Sequence, residues 1–142
     1  MRDSAHRGQR GQALAEMGIV VVLFVTLCVG ILEFGRAWII VNMITHATRD
    51  GARVAAVALP SNRDSYGMIT NKSSIQSQVL SEIQTVTPTT GFAVNVTQST
   101  VGGVPMVQVQ VTGTVPYMFK LVGDSFAVNR TVTFRDEGRA SS

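Results

Sequence analysis

Residues 11–32 read GQALAEMGIVVVLFVTLCVGIL, and this stretch decides the fold. Within it, residues 17–32 carry no charged side chain. As an α-helix this uncharged part is about 24 Å long, and adding the residues from Gln12 brings the segment to the ~20 residues that cross a bilayer. We therefore predict a transmembrane span over about residues 13–32.

The residues in front of the span predict its orientation. Arg2, Arg7 and Arg10 precede it, and Asp3 is the one acid among them. An excess of Lys and Arg marks the cytoplasmic side of a span. We therefore predict a cytoplasmic N-terminus, with the residues after Leu32 on the other side of the membrane.

A removable secretory signal peptide is the first alternative, since it also begins with basic residues and an apolar stretch. The apolar stretch here is longer than the usual 7–15 residues of such peptides. The residues that follow, EFGRAWII at 33–40, continue a helix and offer no A-x-A cleavage site. The pattern favours a span over a conventional signal peptide.

The composition argues against most soluble functions. The 142 residues carry a formal net charge of +3 but no basic stripe with interleaved aromatics, so we expect no nucleic-acid partner. The single cysteine, Cys28, excludes an internal disulfide framework. His46 has no second ligand at metal spacing and no evident nucleophile to activate. We expect no enzyme activity, no metal or other cofactor, and no small-molecule substrate.

Helical periodicity continues beyond the span. The sequence has no proline between Gln12 and Pro60, and apolar residues recur at helical spacing. We predict one helix over about residues 12–58, whose outer half carries a narrow apolar stripe. Because a helix cannot bury such a stripe against itself, a domain or another subunit must cover it. This is the first indication that the chain is part of an assembly.

The rest of the chain predicts a small mixed domain. Ser73 and Ser74 offer an N-cap for a second amphipathic helix from Ile75 to about Val86. Alternating apolar and polar residues predict three strands, and Gly102-Gly103 predicts a hairpin turn between the first two. The strands are expected over residues 92–97, 107–112 and 126–134, with a connection over 116–121.

These elements define an α+β fold class, with a long N-terminal transmembrane helix that continues into a second helix and a three-stranded antiparallel sheet. We expect a basic leader over residues 1–11, a small α+β extracytoplasmic domain over 61–135, and a polar tail over 136–142. The small domain is marginal alone, so the outer half of the long helix is expected to complete its core across one face of the sheet.

The hexapeptide GQALAE at residues 11–16, between a basic leader and an apolar helix, resembles the type IV prepilin signature. More narrowly, it resembles the TadE-like pseudopilins of the Tad (tight adherence) pilus system, which also carry an acid after the span and a small-residue and arginine segment. Residues 33–36, EFGR, and 47–55, ATRDGARVA, match those features, and the resemblance covers about residues 8–58. Two departures, Met17 in place of an aromatic and a long chain after Gly11, favour a minor pseudopilin over a major pilin.

The resemblance implies a pathway for the chain. A prepilin peptidase would cut after Gly11, which makes Gln12 the new N-terminus and Glu16 the fifth residue of the mature chain. Glu16 would then pair with the N-terminal amine of a neighbouring subunit and fix the register of assembly. The alternative for Glu16 is a position at the headgroup boundary with no further role.

The implied partners are the prepilin peptidase, other pilins or pseudopilins, the inner-membrane assembly platform and membrane lipid. The implied location is the bacterial inner membrane, as a single-pass protein, and after assembly the extracellular pilus. The alternative is a permanently anchored protein whose outer domain binds a partner as a scaffold. Two further sites are expected on the helix: a boundary ion pair of Glu33 with Arg36, and a candidate partner contact at Arg49 and Arg53, which are like-charged at i, i+4.

Overall fold

The computed structural model describes residues 4–87, 91–120 and 123–138, and of residues 4–10 and 86 the backbone alone. It has the predicted α+β architecture of two helices and three strands. Parts of the predicted leader, connection and tail lie outside the described residues, namely residues 1–3, 121 and 139–142. The elements in chain order are α1 (Ser4–Ala56), a 3-10 turn (Pro60–Asn62), α2 (Lys72–Val86), β1 (Ala93–Val101), β2 (Val104–Pro116) and β3 (Ser125–Arg135).

Helix α1 begins earlier than predicted, at Ser4 instead of Gln12. No proline interrupts the residues in front of Gln12, so the helix of the span propagates through the leader once it has formed. The helix ends near the predicted place. Its last turn tightens, since Ala58 N–H donates to the Ala55 carbonyl at 3.3 Å, and Pro60 lies two residues further along the chain.

The chain divides into two compact units, Met1–Ala37 and Trp38–Ser142. In the first unit, every residue from Gly11 to Leu27 is exposed. Among the described residues, α1 is the one helix long and apolar enough to cross a membrane, and none of its most apolar stretch is buried inside the protein. This exposure separates it from the core helix of a soluble domain, which would be covered by its own chain.

The second unit contains a three-stranded antiparallel sheet in the order β1-β2-β3. The predicted hairpin turn between β1 and β2 is confirmed, with Val101 opposite Val104. Gly102 and Gly103 close it with φ of 58° and 81°, the positive values that a two-residue type I′ turn requires. Val109 pairs with Val132 across the second interface, so the apolar residues of the strands share one face.

Two hydrophobic clusters fill the space between that face and the helices. The outer half of α1 contributes to both, as predicted for a domain that cannot complete its core alone. The proximal cluster, nearer the apolar end of α1, contains Ile40, Ile44, Ala47, Val79, Ile83, Val111, Val115 and Val128. The distal cluster contains Ala52, Ala55, Ala56, Ile69, Ile75, Val96, Val107 and Val109.

The membership of the clusters fixes the direction of each element. Strand β2 passes from Val107 in the distal cluster to Val115 in the proximal cluster, opposite in direction to α1. Helix α2 also runs against α1, from Ile75 to Ile83. The turn between β2 and β3 therefore lies at the proximal end of the unit, and the β1–β2 turn at the distal end.

The predicted N-cap of α2 is wrong. The helix begins at Lys72 after Asn71, whose side chain makes no capping hydrogen bond, and Ser73 and Ser74 lie inside the first turn. The serines are weak helix formers, but the burial of Ile75 in the next turn holds the helix in place over them. The predicted apolar face of α2 is confirmed by the burial of Ile75, Val79 and Ile83.

Gly51 lets α2 approach α1 closely. A Cβ at this position would overlap Val79 Cγ2. We expect Gly51→Ala to lower the free energy of unfolding of the second unit by about 1–3 kcal/mol, the usual effect of overpacking. Adding Val79→Ala removes the overlap, so the double variant should lose less than the sum of its two single variants. Unfolding of the full chain in detergent micelles measures this, and strict additivity would contradict the close contact.

Candidate functional site

The first candidate site is the helical turn from Gly11 to Glu16. Gln12 Nε2 donates a hydrogen bond to Glu16 Oε1 at 3.0 Å, across one turn of α1. All residues of this turn are exposed, and a Cβ at Gly11 would meet nothing within 4 Å. The carboxylate therefore lies on the helix surface, where a positive group of another molecule can reach it.

The second candidate is the predicted pair of Glu33 with Arg36. The structure places Arg36 Nη2 at 3.4 Å from Glu33 Oε1. Glu33 is buried, with 9% of its surface exposed, while the Arg36 side chain keeps 30%. At that distance the two side chains form a loose contact across one turn of α1.

The third candidate, Arg49 and Arg53, lies on the exposed face of α1. Neither side chain forms an ion pair with another residue that the structure describes. Arg53 lines an open cleft in which the fold brings it beside Phe134, Arg135 and Glu137. The cleft carries charges of both signs, because Arg53 and Arg135 are basic and Glu137 is acidic, and Arg49 does not line it.

The structure does not gather these three candidates into one pocket, because they follow one another along α1. Among the described residues, no group of three or more His, Cys, Asp or Glu side chains is placed to hold a metal ion. The three candidates are separate positions on one helix.

The structure also contains an ion pair that the sequence did not predict. Asp136, expected in a polar tail, is fully buried at the end of β3, and Arg63 in the α1–α2 loop binds it through both carboxylate oxygens. The distances are 2.6 Å from Arg63 Nη2 to Asp136 Oδ1 and 3.1 Å from Arg63 Nη1 to Asp136 Oδ2. Gln98 Nε2 donates to Asp136 Oδ2 at 2.7 Å. We call these three side chains the latch.

Arg63 and Gln98 also form hydrogen bonds with backbone groups. Arg63 Nε donates to the Ala58 carbonyl at 3.0 Å and Nη1 to the Gly67 carbonyl at 2.9 Å. Gln98 Oε1 accepts from Ile69 N–H at 2.8 Å. A Cβ at Gly138 would come within 2.5 Å of Arg63 Nη2, so the absence of a side chain there leaves room for the guanidinium. The latch thus joins the end of β3, the edge strand β1 and the α1–α2 loop.

No local pattern in the sequence predicts the latch. Arg63 and Asp136 are 73 residues apart, and each stands in a stretch that reads as polar and solvated. The one available hint was that Asp136 directly follows the last strand, where the chain is still held by the sheet. Its N–H donates to the Pro105 carbonyl at 2.9 Å, which keeps the end of β3 in place.

The latch makes the free energy of unfolding depend on pH. Burial alone would raise the pKa of Asp136, but hydrogen bonds from Arg63 and Gln98 and the arginine charge outweigh it and lower the pKa below 3.8. A lowered pKa gives stability that is present above the unfolded value and is lost as the pH falls through the folded value. We expect the free energy of unfolding to fall as the pH drops below 3.8, and Asp136→Asn to lack this part of the pH dependence. Acid unfolding followed by circular dichroism measures both, and identical profiles would contradict the assignment.

Comparison with known proteins adds one finding. Residues 11–53 match the model of the family described as TadE-like protein. The matched segment begins at Gly11 and contains all three candidate sites on α1, whereas the latch lies outside it. No curated protein and no solved structure matches the chain.

Proposed function

We propose, on the premise that this chain is a TadE-like protein of the Tad pilus system, that it is a minor pseudopilin, a structural subunit with no catalysis of its own. The family connects the chain with other components of the pilus, and α1 is a helix fit to cross a membrane once. The precursor stands in the bacterial inner membrane with its leader in the cytoplasm. A prepilin peptidase removes residues 1–11, and the assembly platform moves the mature chain into or beneath the filament.

The observation that supports this role is an apolar helix whose side chains are exposed from Gly11 to Leu27. Such a surface is stable in lipid, and it is equally stable against the apolar helices of other subunits. A chain of this kind can therefore leave the bilayer for a helical bundle without exposing the surface to water. A permanent anchor needs only the first of these environments.

The charge of Glu16 favours the transfer of the helix from the bilayer to the bundle. In the bilayer its carboxylate costs roughly 2.5–3.5 kcal/mol on insertion scales. Cleavage after Gly11 creates a new positive amine at Gln12. In a bundle of subunits, the Gln12 amine of a neighbouring subunit can reach the exposed Glu16. The pair removes the cost that Glu16 has in lipid, so assembly is favoured over remaining in the membrane.

The helix through the leader sets a condition on processing. Proteases bind an extended backbone, whereas Gly11 lies within α1. The turn around Gly11 must therefore open before cleavage. Glycine is about 1 kcal/mol less favourable than alanine inside a helix, which makes this the least stable position of the turn.

Replacement of Gly11 tests the proposed function. In cells that make the pilus, we expect Gly11→Leu to keep residues 1–11 and to disappear from the filaments sheared from the cell surface. Gly8→Leu adds the same side chain to the leader and should be processed normally. Gly11→Leu that is trimmed like the wild type, or that enters filaments untrimmed, would contradict the proposal.

The second candidate function is a permanent anchor whose outer domain binds a partner. The observation that favours it is the cleft at Arg53, where Arg135 supplies a second positive charge in the domain outside the membrane. In that case the wild type and Gly11→Leu both keep residues 1–11, and the variant binds the partner as the wild type does. The same variant therefore separates the two candidates.

A further inference from the structure

The outer side of β3 is an open edge of the sheet. The strand order β1-β2-β3 gives β3 one hydrogen-bonding neighbour, and no strand that the structure describes pairs with its other side. Most residues of β3 are exposed. A row of unpaired N–H and C=O groups is a template for a strand of another chain, so such an edge is either offered to a partner or protected from one.

The sequence of β3 is nearly symmetric. Residues 126–134 read FAVNRTVTF, with Arg130 at the centre. If two copies pair their β3 strands antiparallel with Arg130 opposite Arg130, phenylalanine meets phenylalanine and valine meets valine on both sides of the centre. At the positions between them, alanine or asparagine meets threonine. The segment is rich in β-branched and aromatic residues and has no proline or glycine, which favours strand pairing. A second copy of this chain therefore matches the edge at every position except the centre.

Arg130 is the exception because it is charged. It stands opposite Val111 of β2, on the face of the sheet that packs against the helices. The next residues of β3 on that face, Val128 and Val132, pack in the core clusters, whereas Arg130 is exposed. No acid that the structure describes forms an ion pair with it. None of the three strands contains an acidic residue, so the sheet of a second copy has no acid to place opposite Arg130.

We propose that Arg130 holds the β3 edges of two copies apart, so that this self-matching strand does not join two sheets into one. Two arginines directly opposite each other on one face of a strand pair repel, and like charges at such positions destabilise the pair. A charge in the middle of an edge strand is one of the means by which sheets avoid edge-to-edge association. The inference goes beyond the proposed function, and it depends neither on cleavage after Gly11 nor on the membrane.

An exchange of charge at position 130 tests the proposal in the full chain in detergent micelles. Wild type alone and Arg130→Glu alone each place like charges opposite each other, whereas in an equal mixture arginine can lie opposite glutamate. We expect the dissociation constant of the mixed pair, measured by analytical ultracentrifugation, to be about tenfold lower than that of either protein alone. Because salt screens exposed charges, this difference should disappear at about 1 M salt.

Two further variants isolate position 130. Arg135→Glu makes the same change of charge in β3, but position 135 lies opposite Ser125 when the strands pair around Arg130. Its mixture with the wild type should therefore associate no more tightly than the wild type alone. Arg130→Thr removes the charge, and we expect it to associate more tightly than the wild type at low salt. In the mixture with Arg130→Glu and in Arg130→Thr, hydrogen exchange should slow at the β3 amides that do not bond to β2.

Three results would overturn the proposal. Equal dissociation constants for the two mixtures would mean that net charge, and not position 130, limits association. Arg130→Thr that associates no more tightly than the wild type would mean that the edge stays unpaired without the arginine. Slower exchange elsewhere, with the β3 amides unchanged, would mean that the copies meet through another surface.

Discussion

Asp136→Ala is expected to lower the free energy of unfolding of the second unit by about 3–5 kcal/mol. The substitution leaves the Arg63 guanidinium, whose side chain is 4% exposed, without its buried counter-charge. Two carbonyl acceptors remain for Arg63, which places the expected loss at the lower end of that range. Hydrogen exchange of the β2 amides at Val107, Val109 and Val111 in the full chain measures the change, because amides of the core open with the whole unit.

Two controls isolate the latch. Asp124→Ala also removes an aspartate from an ion pair, but that pair with Lys120 is exposed, so we expect a loss of at most about 1 kcal/mol. Arg63→Met/Asp136→Leu replaces the whole buried pair with apolar side chains and should be less damaging than Asp136→Ala. If Asp136→Ala and Asp124→Ala lose the same free energy, the latch has no special role in holding the unit together.

Glu16→Gln should reduce incorporation into filaments by about a hundredfold while leaving cleavage after Gly11 intact. The amide keeps the shape of the side chain and removes its charge, so the new amine of a neighbour would be buried without a counter-charge. A loss of roughly 3 kcal/mol for a broken buried pair corresponds to a factor of this size. The ratio of processed protein in sheared filaments to that in membranes measures it.

Gln12→Ala provides the comparison for Glu16→Gln. It removes the 3.0 Å hydrogen bond between the two side chains but keeps both the carboxylate and the N-terminal amine. We therefore expect near-normal incorporation once the protein has been processed. Normal incorporation of Glu16→Gln would instead support the simpler alternative, in which Glu16 marks the headgroup boundary.

Much of the fold is predictable from the sequence because its elements are set by local patterns. Period-two alternation in β1, β2 and β3 places apolar side chains on one face, and the two glycines at 102 and 103 fix the register of the first hairpin. The apolar stripe on the outer half of α1 predicted that a domain or another subunit must cover it. The structure shows that α2 and the sheet of the same chain do so.

The remaining features depend on interactions that no local pattern encodes. The start of α1 at Ser4 reflects propagation from the apolar helix behind it, not a capping residue. The start of α2 follows the burial of Ile75, which overrides the two serines. The latch joins residues of opposite charge from distant loops, and the sequence offers many such pairings. Only the fold selects Arg63 and Asp136 from among them.

Cleavage after Gly11 would supply the amine that Glu16 needs, and the mass of the protein purified from the membranes of cells that make the pilus tests this most directly. We expect a mature chain that begins at Gln12. A population that retains residues 1–11 throughout, with no shorter form in membranes or filaments, would contradict it.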